Sequence, residues 1–209
     1  MKKMIDIHTW KRKEHFDLFS TYQEPFFSIA TYVDCTGAYS QAKSLNISFF
    51  IYYMYQSLVA ANTVEEFRYR IEDGHPVIYD KIHGSTTTFN ADNLFAFSFL
   101  PYHEDLMTFN RDARSSLLET KKIKGINLNE DSKRIDVIHY STIPWISFTA
   151  ITHERNFIRP DSIPKITFGK YIKEKNRLMM PVSICAHHGL LDGFHVGKYL
   201  EVFQKLLDQ

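Results

Sequence analysis

The chain has 209 residues, with 25 Lys and Arg against 24 Asp and Glu, a formal net charge of +1. That balance gives no global field to draw in nucleic acid or an anionic membrane, and 44% hydrophobic residues with 17 Phe and 12 Tyr exclude a disordered chain. The length fits one domain over 1–209, large enough to bury a sizeable core.

The N-terminus, Met1-Lys2-Lys3-Met4-Ile5-Asp6, lacks the apolar stretch of a secretory signal. Two cysteines, Cys35 and Cys185, are too few for a disulfide framework, so a reduced, cytoplasmic setting is expected. The basic run Lys11-Arg12-Lys13 is followed at once by Glu14 and reads as a solvated face. Residues 12–20 read as a short helix with Phe16 and Phe19 on one side, and 27–35 as a strand. A long helix is predicted over 41–62 from Leu45, Phe49, Tyr52, Tyr53, Gln56 and Ala60. Its apolar part is interrupted by Gln56 and Ser57 and is shorter than the roughly 20 residues a bilayer needs, which predicts a buried core helix.

Residues 67–72 and 76–79 read as a hairpin around Asp73-Gly74, and 86–90 and 95–100 as two more strands. A helix is predicted from 103 to 122, with Leu106, Phe109, Ala113 and Leu117 on one face. Strand patterns follow at 135–140, 146–151, 166–172 and 178–185. The last helix carries Val196, Leu200, Phe203 and Leu207 at spacings of four, three and four. Strands and helices mixed in this way predict an α/β (α+β) two-layer sandwich, a mixed sheet covered by helices.

The most informative stretch is His187-His188-Gly189-Leu190-Leu191-Asp192-Gly193, at the junction of the last strand and the last helix. An imidazole, with a reference pKa of about 6.5, can take a proton from an alcohol or thiol near neutral pH. That task needs one bare ring nitrogen toward the acceptor and the other pinned as a donor. Asp192 falls near a helix N-terminus, where a carboxylate is favoured by unpaired N–H groups. His188, Asp192 and His195 could also fall on one helical face as metal ligands. His188 precedes the helix, so no metal is expected.

Continued through Phe194-His195-Val196-Gly197, the stretch resembles the end of the chloramphenicol acetyltransferase family, type A, among the HHxxxDG acyltransferases. Three further motifs carry the resemblance in the same order: Trp10 to Phe16, Ser141-Thr142-Ile143-Pro144-Trp145, and Thr167-Phe168-Gly169-Lys170-Tyr171. It implies a CoA-dependent acyltransferase-like fold and acetyl transfer from acetyl-CoA to the primary hydroxyl of chloramphenicol. It implies His188 as general base, without an acyl-enzyme, and Ser141 as the hydroxyl that donates to the oxyanion. Asp192 either orients the imidazole or makes a structural salt bridge, and the resemblance favours the bridge, with Arg12 as partner. Thr167 matches a residue that binds the intermediate through water.

The donor is named by the resemblance alone, since the chain has no GxGxxG or P-loop. Trp145 matches a residue of the pantetheine channel, with Lys170 and Tyr171 near the adenine end. Phe19 and Phe27 match acceptor-lining positions, and Phe95 and Phe97 lie in a candidate lining strand. The resemblance further implies a homotrimer in which His188 of one subunit faces its neighbour's acceptor pocket. Phe97 and His153 stand where the family carries smaller or apolar side chains, and Pro25 where some members carry Cys. Two alternatives therefore stay open: another small alcohol as acceptor, or a silent trimer that binds CoA or a hydrophobic ligand. Dihydrolipoamide acyltransferases, which acylate a thiol on the same type of fold, are the weaker reading, as no flexible linker is visible.

Overall fold

The computed structural model describes residues 1–154 and 161–209. Strand β10 (Arg177–His187) is the axis of a mixed sheet. It lies antiparallel to β2 (Phe26–Asp34) on one side and to β8 (Lys165–Gly169) on the other, with the short β9 (Ile172–Glu174) hairpinned onto its start. Next to β8 comes β7 (Val137–Ile143), parallel to it, then β5 (His83–Phe89), also parallel, then β6 (Phe95–Leu100) in a hairpin. The sheet order is therefore β2-β10-β8-β7-β5-β6.

The two faces follow from the two-residue period of a strand. Ile138, Tyr140, Ile166, Phe168, Val182 and Ile184 all point into one core. Helices α3 (Phe49–Thr63), α4 (Leu106–Thr120) and α5 (Gly193–Leu207) supply the other side of that core, through Met54, Leu58, Phe109 and Phe203 among others. α3 is buried along most of its length, as expected of a core helix; among the described residues no helix is long and apolar enough to cross a membrane. One polar device crosses the core. Ser57 Oγ sits 2.8 Å from the Tyr140 hydroxyl and 2.6 Å from that of Tyr199, tying α3, β7 and α5 together.

A second small sheet has the order β1-β4-β3, from Lys2–Met4, His75–Tyr79 and Tyr69–Glu72. The predicted hairpin is present: Asp73 (φ 48°) and Gly74 (φ 78°) both take positive φ, as a two-residue turn between twisted strands requires. Arg70 of β3 is fully buried and donates to the carbonyls of Ile135 and Val137, which ties the small sheet to β7. Burial pushes its guanidinium down to about 9. Phe16 of α1 (Lys13–Phe19) packs with Tyr69 and Leu190, which sets α1 against the turn after β10. Cys35 and Cys185 are buried, unbridged thiols, and burial together with Asp34 pushes Cys35 up to about 12.

Three expectations need correction. The single helix over 41–62 is two helices, α2 (Thr36–Ser44) and α3. Asn46 takes φ 53°, and the Ile47 and Asn46 amides bond back to Ala42 and Lys43. That is a Schellman cap with Asn in the left-handed position, and it stops α2. Residues 146–151 form no strand. After the Pro144-Trp145 turn they pass across the end of β8, where a Cβ on Gly169 would lie 2.9 Å from the Ile146 carbonyl and 2.9 Å from Phe148. Glycine is what lets the crossing sit so close. The strand over 166–172 is broken for the same reason: the Lys170 amide bonds Ile146 across the crossing.

Candidate active site

The turn after β10 is built from outside inward. Asp192 caps α5, accepting from the Phe194 amide at 3.0 Å on one carboxylate oxygen. Its other oxygen takes Arg12 Nη1 at 2.7 Å. The second arm of Arg12 donates to the His188 carbonyl at 3.1 Å, and the His188 amide bonds the Pro25 carbonyl at 2.8 Å. Both backbone groups of His188 are thus fixed from the loops beside α1. Burial alone would raise the Asp192 carboxyl; the Arg12 hydrogen bond, the facing His195 and the Phe194 amide outweigh it and hold the group below the usual carboxylate range.

The His188 ring is half-buried and lies flat on Phe19, with ring centroids 4.2 Å apart and planes 1° from parallel. Phe27 closes the other side at 4.5 Å. The expected polar pin on the far nitrogen is missing: among the described residues Nδ1 is shut from solvent with no hydrogen-bond partner. Asp192 does not supply it, since its oxygens are taken by Arg12 and the cap. Aromatic packing orients this imidazole. His187 turns the opposite way, its Nδ1 accepting the Gly189 amide at 3.1 Å. The three-ligand arrangement of His188, Asp192 and His195 is not formed, because the ring nitrogens of His195 face Asp192 and Glu66.

Ser141 lies elsewhere. It is paired in register with Thr167, and Thr167 with Ser183, so three hydroxyl residues form one rung across β7, β8 and β10. All three sit on the face away from the helices. This face is covered in part by the segment after β7: His153 Nε2 lies 3.4 Å from the Thr167 hydroxyl, and Lys165 pairs with Asp161. His139, two residues before Ser141, shares the face and pairs in register with Lys165. Burial, then the Lys165 charge, push His139 down to about 4.

The carboxyl end of β7 opens onto a cleft of about 720 Å³ between the start of α3, the β5–β6 hairpin and α4. Trp145 lines it and packs its ring 5.8 Å from Phe89. Phe50, Leu94 and Phe95 add apolar wall; Thr87 and Thr142 add hydroxyl residues, and Arg114 and Lys121 the cations. Tyr171 does not line it; its ring packs against Phe49 and Tyr39, and Lys170 precedes it as an exposed residue. The expected acceptor wall is divided within one chain. Phe19 and Phe27 hold His188, Phe95 lines the Trp145 cleft, and Phe97 lines a separate polar cavity of about 210 Å³. Sequence reasoning missed Arg114, Lys121, Lys165 and Glu66, which no local motif marks. His139 had a signal, since the strand period puts it on the face of Ser141.

Comparison with known proteins bears on the family and the fold. The family model described as chloramphenicol acetyltransferase matches residues 2–204. A solved chloramphenicol acetyltransferase superposes with a TM-score of 0.92 at 34% identity, covering 99% of this chain and 100% of that one. The chloramphenicol acetyltransferase of Proteus mirabilis is 28% identical over 99% of this chain and 94% of its own length. A truncated catalytic core of the 2-oxoacid dehydrogenase multienzyme complex from Thermoplasma acidophilum shares the fold alone, at 13% identity and a TM-score of 0.70 over 99% of this chain and 98% of that one. The chain therefore belongs to the chloramphenicol acetyltransferase family.

Proposed function

We propose that this protein transfers the acetyl group of acetyl-CoA directly to the primary hydroxyl of chloramphenicol. One observation carries the reading: a half-buried imidazole, His188, whose backbone is fixed at both ends and whose ring is clamped between two aromatic faces. With Nδ1 closed off, the Nε2 edge is the side left to meet an alcohol. His188 takes the hydroxyl proton as the oxygen attacks the thioester carbonyl. The Ser141 hydroxyl donates to the oxygen that becomes negative. Collapse of the tetrahedral intermediate breaks the C–S bond, and the leaving thiolate recovers the proton from His188. Asp192 and Arg12 hold the base in place.

The cleft beside Trp145 suits the donor. An apolar wall fits the pantetheine chain, and Arg114 and Lys121, with Lys170 near Tyr171, suit phosphates. The assembly is a cytoplasmic homotrimer of single domains, and sheet register supports its shared site. Ser141 sits on the rung of Ser183, four positions short of His187 on β10 and two strands away. At about 3.3 Å per residue and 4.8 Å per strand, Ser141 and His187 are about 16 Å apart within one chain, and His188 lies one residue beyond. A base and an oxyanion donor must both lie about 3 Å from one reacting centre. A second subunit then brings its own His188 to this chain's Ser141.

The test is thiol release from acetyl-CoA with and without chloramphenicol. Release should depend on chloramphenicol and fall about 10²–10⁴-fold in kcat in His188→Ala. Mixed assemblies of inactive His188→Ala and Ser141→Ala chains should regain activity; no recovery would remove the shared site. His139, His153 and Lys165 on the Ser141 face favour a second reading, a more polar small alcohol. Release driven by such alcohols and not by chloramphenicol would establish it.

A further inference from the structure

We infer that His195 and Glu66 are positioning residues for His188, acting through Asp192 and Arg12. The inference rests on His188 being the general base. His195 sits one turn into α5, and its Nδ1 accepts the Asp192 amide at 3.2 Å, with Asp192 Oδ1 2.9 Å away. Its Nε2 lies 3.2 Å from Glu66 Oε1, in the short turn that follows α3. Both side chains are largely buried, 11% and 21% exposed. From Glu66 to the His188 carbonyl, every step is then a contact within hydrogen-bond reach: Glu66, His195, Asp192, Arg12, His188.

Asp192 caps α5 through its bond with the Phe194 amide, and His195 completes a reciprocal cap, its Nδ1 accepting the Asp192 amide. An accepting Nδ1 leaves the ring proton on Nε2, toward Glu66. What Glu66 adds is a hold on that ring from another element, which a cap alone does not call for. The terminal torsion of an aspartate is broad and finds no single staggered minimum. A ring held by Glu66 on one nitrogen and by the Asp192 amide on the other fixes the backbone stem of that carboxylate, and with it the direction its second oxygen offers to Arg12. The Arg12 guanidinium is a rigid fork, so the arm on Asp192 sets where the arm on the His188 carbonyl points. Besides these groups, the Phe194 ring stands edge-on to His195 at 5.6 Å and limits its rotation. Glu66 thereby acts on the catalytic turn without touching it.

The test compares His195→Gln, Glu66→Leu and the double variant in the full-length protein, reading kcat, both KM values and the thermal midpoint. A misplacement of about 1 Å can cost on the order of 10²-fold, so His195→Gln should lower kcat by about tenfold or more. Both KM values should stay within about twofold, because the substrate walls are untouched. Glu66→Leu should show the same kcat-only loss at smaller size, and the double variant should lose no more than His195→Gln alone. A kcat within about twofold of the parent, KM values and midpoint that fall with kcat, or additive losses would each overturn the inference. If His195→Gln does not fold, Glu66→Leu decides it alone: unchanged kcat overturns it. His188→Ala is measured alongside. If that variant stays active, the general-base reading has failed and the inference falls with it.

Discussion

Two parts of the sheet are held by different physics. At the carboxyl end of β10, His188 is fixed by ion pairing, a helix cap and stacked rings, with the base, its carboxylate and the cap inside seven residues, His188 to Phe194. In the middle of the sheet, Ser141 is fixed by strand register, and its neighbours on the rung come from far along the chain, Thr167 and Ser183. The first part is specified by side-chain chemistry and the second by backbone pairing. Damage should therefore spread differently. A lost charge loosens the first part locally, whereas the second should respond to anything that shifts the segment crossing it.

The largest contrast comes from Ser141→Ala. Losing one oxyanion donor should lower kcat about 10²–10³-fold, with little change in KM or stability, since among the described residues no hydrogen bond holds that hydroxyl. Steady-state kinetics with both substrates decides it; a loss confined to KM would reassign Ser141 to binding. Next is Gly169→Ala, whose new Cβ would stand 2.6 Å from Pro181 and 2.9 Å from the Ile146 carbonyl. Overpacking there should cost about 1–3 kcal/mol and weaken acetyl-CoA binding through Trp145, read by thermal melts and the KM for acetyl-CoA. An alanine tolerated with neither effect would show that the crossing can move freely.

Asp192→Asn tests the charged end, with an expected loss of about 1–3 kcal/mol near neutral pH. The folded carboxyl titrates below its unfolded value of about 3.9. The stability it adds is therefore complete above that pH and fades as pH falls through the lower, folded value. Parent and variant should converge in acid, and a gap persisting well below pH 3 would point to shape rather than charge. Near neutral pH the smallest effect belongs to His139, held neutral down to about 4 against an ordinary 6.5. Between those values the unfolded chain binds more protons, so stability falls as pH drops across the window. His139→Gln should flatten that slope in denaturant titrations at stepped pH.

The same contrast explains what could be read from the sequence. The His188 end was legible because its chemistry is local: a pair of histidines, a carboxylate four residues on and a helix pattern that needs a cap. Arg12 was nameable only through the resemblance, being 180 residues from its partner. At the Ser141 rung the motif was visible but its setting was not. Strand order decides which hydroxyls share a rung, and no alternation pattern encodes order. Residues 146–151 look like a strand because they are apolar, yet only Phe148 lays its ring on Gly169 of β8, while Ile146 meets it through its carbonyl and turns its side chain out. Asn46 stopping a helix, and Glu66 reaching His195, are likewise matters of three-dimensional context that spacing does not announce.

The two buried cysteines have a practical side. An acetyltransferase of this kind liberates a sulfhydryl on every cycle, and a colour-forming disulfide reagent is the natural way to count it. Cys35 is fully enclosed, its sulfur donates to the Leu178 carbonyl, and its proton is held tightly, while Cys185 is enclosed in β10. The native protein should therefore stay silent toward such a dye, and the background signal should rise only on denaturation, making the blank of the activity measurement a built-in gauge of how much enzyme remains folded.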